Sequence, residues 1–119
     1  MPTHLRTDII CSGIVGQDNR IDRTKLSARD MHIKEFQHLI SARYEKRDRE
    51  RGIPGTFLWF IEEVGELATA LAGQDQKNRQ EEFADVFAWL CTLANISDVD
   101  LENACEKYTG DSVKGFKPK

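Results

Sequence analysis

The stretch TFLWFIEEVGELATALA, residues 56–72, decides how the rest of the chain is read. Thr56 is a residue type that caps helix N-termini, and Gly73 stops the run at its other end. On a wheel of about 100° per residue with Phe57 at the origin, Ile61, Val64, Ala68 and Leu71 fall within about 40° of it. Glu62, Glu63 and Glu66 fall on the far side, where on this helix alone they could simply face water. The pattern predicts a helix over residues 57–72, apolar on one side and acidic on the other.

Upstream, Ser27 followed by Asp30 resembles a capping box, and Ile33, Phe36, Gln37, Ile40 and Tyr44 recur at helical spacing. They predict a helix from residue 27 to about Arg49, ended by Gly52, Pro54 and Gly55. Downstream, residues 74–80 form a polar connection. A third helix is expected from about Gln80 to Asn95. No charged residue occurs from Val86 to Ile96, so this helix is expected to be buried on nearly all sides. Ser97 or Asp98 is expected to cap a fourth helix, from about Val99 to Tyr108. Four helices with short turns predict an all-α, antiparallel four-helix bundle. Residues 1–26 read as an N-terminal arm that can be partly disordered, residues 27–108 as the helical domain, and residues 109–119 as a loose C-terminal tail.

With 119 residues the chain is the size of one domain. Its net charge of −3 argues against binding a nucleic-acid polymer, but not against a nucleotide whose charge a metal neutralises. Cys11, Cys91 and Cys105 are odd in number and lack metal-ligand spacing, as expected of reduced, mostly buried thiols. The apolar run Ile9–Val15 is too short and interrupted for a signal peptide or a membrane span, so a cytoplasmic protein without a membrane partner is expected.

The chemistry lies in the carboxylates. Glu63 with Glu66, and Glu82 with Asp85, are each three residues apart, on one face of a helix. A solvated face, paired with Lys77, Arg79 or Lys107, is the plainer reading of a single such pair. Here there are two pairs on adjacent helices. Glu82 and Asp85 also sit beside Val86 and Trp89, on the flank of the helix expected to be buried. Like charges one turn apart repel, and burial raises the cost. A hard, oxygen-seeking cation such as Mg²⁺ removes it. Other patterns carry less. Glu35-Phe36-Gln37-His38 holds one Glu-x-x-His, where a di-iron bundle needs two. His32 and His38 read as surface or pocket-lining residues. Arg43, Lys46, Arg47, Arg49 and Arg51 alternate with acids as on a solvated face, and Trp59 and Trp89 read as core.

Residues 58–67 (LWFIEEVGEL) followed by residues 81–86 (EEFADV) resemble the MazG-like nucleotide pyrophosphohydrolases, whose signature is Glu-Glu-x-x-Glu, a variable gap, then Glu-x-x-Asp. The similarity extends to Glu35-Phe36-Gln37, Tyr44, Arg47-Asp48 and Arg51-Gly52 upstream, and to Asp100-Leu101 and Lys107 downstream. It covers roughly residues 32–108. Where many members follow the last helix with an Asn, this chain has Lys107-Tyr108-Thr109-Gly110-Asp111.

The resemblance implies an all-α bundle that forms a homodimer or a dimer of dimers. It implies a Mg²⁺-dependent hydrolase, with Mn²⁺ as a substitute, that cuts an NTP or dNTP to the monophosphate and pyrophosphate in nucleotide-pool house-cleaning. By the same resemblance Glu63, Glu66, Glu82 and Asp85 are metal ligands, and Glu62 and Glu63 are catalytic, Glu62 near the attacking water or as a further ligand. Substrate contacts are expected at Gln37, Arg47, Trp59 and Lys107. The alternative is a non-catalytic helical module that binds nucleotides or proteins. The presence of all four expected ligands argues against it.

Overall fold

One glycine divides the longest helical segment. The computed structural model describes residues 31–109. They contain α1 (Ile33–Ala72), α2 (Gln76–Ile96), α3 (Leu101–Cys105) and a closing 3₁₀ turn, Glu106–Tyr108. Within α1, Gly52 has φ 81° and ψ 171°, a non-helical conformation that breaks the element into two rods. Pro54 follows in the first turn of the second rod, where a missing N–H costs little. The turn expected after Arg49 is therefore a break at one residue. The Ser27/Asp30 capping box lies outside the described residues. Here α1 starts after His32, which supplies no side-chain cap.

The other boundaries also shift. Asp75 caps α2, accepting from the Asn78 backbone N–H at 3.1 Å, so most of the expected polar connection is its first turn. Arg79 reaches back and donates to the carbonyl oxygens of Ala70, Leu71 and Gly73 at the end of α1, where Ala70 also accepts from the Gly73 N–H. Asp100, not Ser97 or Asp98, caps α3, and α3 passes into the 3₁₀ turn after five residues. The all-helical class holds. The described residues place two long helices against each other, with α3 at one end.

The apolar core is small: Ile40, Tyr44 and Cys91, with Phe36, Ala88 and Leu101 packed against them. Beside it Gln37 fixes the entry to α3. Its amide donates to Asn95 Oδ1 at 3.0 Å and the Val99 carbonyl at 2.7 Å, and its Oε1 accepts from the Leu101 N–H at 2.9 Å. Cys91 is buried, whereas Cys105 is exposed.

The largest fully buried side chains are Glu63, Thr56, Thr92, Asp48 and Cys91, most of them polar. Phe57, Ile61, Val64 and Leu71, on the apolar side of the wheel, are exposed, and so is Leu58. Taken alone, this helix left open whether its acids face water; Glu62 does, while Glu63 is buried and Glu66 half-buried on the side that faces α2. Nor is α2 buried all round. Trp89, Cys91, Thr92, Ala94 and Ile96 are buried, but Phe83, Phe87 and Leu90 are exposed. No helix among the described residues is long and apolar enough to cross a membrane.

Candidate metal centre

The seam between the second rod of α1 and α2 follows a heptad-like rhythm. Thr56, Trp59, Glu63, Glu66 and Ala70 are buried or half-buried at steps of three and four residues. Read backwards from Thr92, α2 answers with Trp89, Asp85 and Glu82 in the same rhythm. Helices that mesh at such steps bring their seam residues together turn by turn. The tryptophans meet first, their ring centroids 6.4 Å apart and their planes 23° from parallel. One turn on, about 6 Å along the axis, come the carboxylates.

Glu63, Glu66 and Glu82 each place one carboxylate oxygen within 4.8 Å of the others. Glu63 is fully buried, and neither of its carboxylate oxygens has a hydrogen-bond partner. Glu66 Oε1 and Glu82 Oε2 are likewise buried and unpartnered. Burial pushes the Glu63 carboxyl up to about 8, and the neighbouring charges of Glu66, then Asp85 and Glu82, push the same way. Burial also raises Glu82, helped by Glu66 and Asp85. Carboxyls buried together either take up a proton or stay ionised beside a positive charge. This donor set, oxygen only and anionic, fits a hard divalent cation such as Mg²⁺ or Mn²⁺.

The structure therefore brings together three of the four expected ligands, with the fourth, Asp85, close enough to shift both Glu63 and Glu82. Glu62 is exposed, about 100° around the helix from Glu63. Trp59 is half-buried on Trp89. Gln37 is engaged in holding α3, Arg47 is exposed on the first rod of α1, and Lys107 lies in the 3₁₀ turn with Nζ 4.9 Å from the Tyr108 ring centroid. Asp48 and Arg51, part of the resemblance but given no role in the site from sequence, reach the same seam. Asp48 is buried and pairs with Arg51 at 3.1 Å. Their signal was hidden in a run of alternating charges.

All four carboxylates fall within residues 54–110, which match the family model of the MazG nucleotide pyrophosphohydrolase domain. That stretch is MazG-like. The match opens at Pro54, just after the Gly52 break, so the MazG-like segment holds the second rod of α1, α2 and α3. Gln37, Arg47, Asp48 and Arg51 lie before it. No curated protein matches the chain.

Proposed function

We propose that this MazG-like chain is a Mg²⁺-dependent nucleoside triphosphate pyrophosphohydrolase, converting an NTP or dNTP and water to the monophosphate and pyrophosphate. The observation that carries this reading is the convergence of buried, unpartnered oxygens from Glu63, Glu66 and Glu82. Glu63, Glu66, Glu82 and Asp85 would hold the cation, with Mn²⁺ as a substitute. A bound cation of this kind neutralises phosphate charge and lowers the pKa of its water.

The chain's own residues do the rest. The seam keeps bulk water from Glu63, which has no exposed surface. Glu62, on the solvent side of Glu63, is assigned with Glu63 to orient the attacking water toward the α phosphorus. Trp59, one turn away, is assigned to the nucleoside end of the substrate. Arg47 and Lys107 remain candidate contacts to the substrate, while Gln37 is taken up in holding α3. The role that follows is nucleotide-pool house-cleaning in the cytoplasm, without a nucleic-acid polymer or membrane as partner.

The same reading includes a homodimer, or a dimer of dimers. Phe57, Leu58, Ile61 and Val64 present an uncovered apolar side opposite the seam, with Phe83, Phe87 and Leu90 exposed on α2. Pairing two α1–α2 hairpins through these residues would complete an antiparallel four-helix bundle across two copies.

The test of the reaction is a panel of NTPs and dNTPs incubated with Mg²⁺, with and without EDTA, and resolved by product. Monophosphate and pyrophosphate, lost on chelation, are expected. Orthophosphate as the first product would contradict the reading.

A further inference from the structure

Arg51 occupies a slot made by residues from both long helices. Its Nη2 pairs with Asp48 Oδ1 at 3.1 Å, and its Nη1 donates to Thr56 Oγ1 at 3.3 Å. Both partners are buried. Its guanidinium lies 5.0 Å from the centroid of the Trp89 ring, in cation–π range. Room for its stem comes from Gly55, where an added Cβ would stand 3.1 Å from Arg51 Cγ. An ordinary solvated arginine needs none of these. Burying Asp48 is costly unless the charge is matched, and a planar guanidinium can do that while also covering an aromatic face.

Trp89 is therefore held from two sides, by Arg51 and by Trp59. Trp59 and Glu63 are four residues apart on α1, and Trp89 and Asp85 four apart on α2, so the aromatic pair stands one turn from the carboxylates on the same seam.

We propose that Arg51 is a positioning residue: it clamps Trp89 against Trp59, so that the pair forms a fixed aromatic wall beside the acidic cluster, against which the nucleoside end of a triphosphate rests. The clamp stands on the geometry alone. The substrate's use of it rests on the function proposed above.

Trp59 and Trp89 are the only tryptophans in the chain, so the pair can be watched directly. Two stacked indoles give an exciton-coupled circular dichroism band, and Trp59→Phe identifies it by abolishing it. Arg51→Met should weaken that band without nucleotide present, and should raise KM by about tenfold with kcat nearly unchanged, the pattern of lost uniform binding. Arg51→Lys keeps a cation near the ring but cannot fork to Asp48 and Thr56, and should fall between. Should Arg51→Met not fold, Arg51→Lys is judged by the same two readouts. A wild-type band in the folded variant overturns the clamp. A weakened band with unchanged KM overturns the wall's contact with substrate. If the wild-type protein cleaves no triphosphate, the proposed function fails, while the band still decides the clamp.

Discussion

Glu63 has no exposed surface, yet Val64, the next residue on α1, is 38% exposed. The chain turns its acids inward and its apolar residues outward. Each half of that inversion is unfavourable for an isolated chain in plain water. The proposed cation at the seam would offset the first, and the proposed second copy on the outer side would offset the second.

Removing one ligand charge should separate activity from folding. Glu66→Gln and Asp85→Asn keep side-chain shape but remove charge the cation needs. Turnover at saturating Mg²⁺ is expected to fall at least about a hundredfold, equivalent to about 2.7 kcal/mol of transition-state stabilisation. Melting in EDTA should be unchanged or slightly higher, because crowding among like charges is relieved. Near-normal turnover in both variants would remove these residues from the site, and a collapsed apo melting temperature would assign them a structural role.

The raised carboxyls fix the sign of the pH dependence. Glu63 moves from its ordinary value of 4.5 to about 8 on folding, chiefly through burial and then through Glu66, and Glu82 moves the same way. A folded value above the unfolded one favours the protonated, folded form. Its contribution is complete below the unfolded value and is lost as pH rises through the folded one. Melting temperature in EDTA should therefore decline from about pH 5 to about pH 9. Mg²⁺ binds the ionised form, so its stabilising shift should grow over that range, with proton release. A flat apo profile would show that these carboxyls are not desolvated.

The proposed dimer would assemble through the outer face. Leu58 is 71% exposed, so Leu58→Glu should leave the helices of one copy intact while placing charge in the contact. Light scattering should give a dimer or larger for the wild type and a monomer for the variant. The contact is expected to bury well over about 1,200 Å² in total. A wild-type monomer at micromolar concentration would contradict the pairing.

The break in α1 should tolerate only glycine. At φ 81° and ψ 171° Gly52 lies where other residues are strained, and a Cβ there would meet only Pro54 Cδ, at 3.9 Å. The cost of Gly52→Ala is therefore torsional, about 1–3 kcal/mol by urea unfolding with an unchanged slope. No change in midpoint would mean that the break can straighten.

Much of this was legible in the sequence. Helical period, the stop at Gly73 and the paired acids sufficed for an all-α chain with an oxygen-rich site. A wheel, however, gives the angle between Val64 and Glu63 and not which of them meets α2. The usual assumption that apolar residues face inward within one chain fails where buried acids converge and an apolar side is left uncovered. Arg51 was hidden for a related reason. In sequence it is one cation in an alternating run, and only folding brings Asp48, Thr56 and Trp89 around it. The last helix was overestimated because Asp98 takes a left-handed φ of 56° and delays the cap to Asp100.

Whether the seam carboxylates form a divalent-cation site is read from Mn²⁺, whose paramagnetic resonance signal reports the free ion. At about pH 8 the wild-type chain should take up Mn²⁺, Mg²⁺ should displace it, and Glu66→Gln and Glu82→Gln should bind it at least about tenfold more weakly, each having lost a charged ligand. Full free-ion signal in the presence of the wild-type protein, or equal uptake by the variants, would contradict the account.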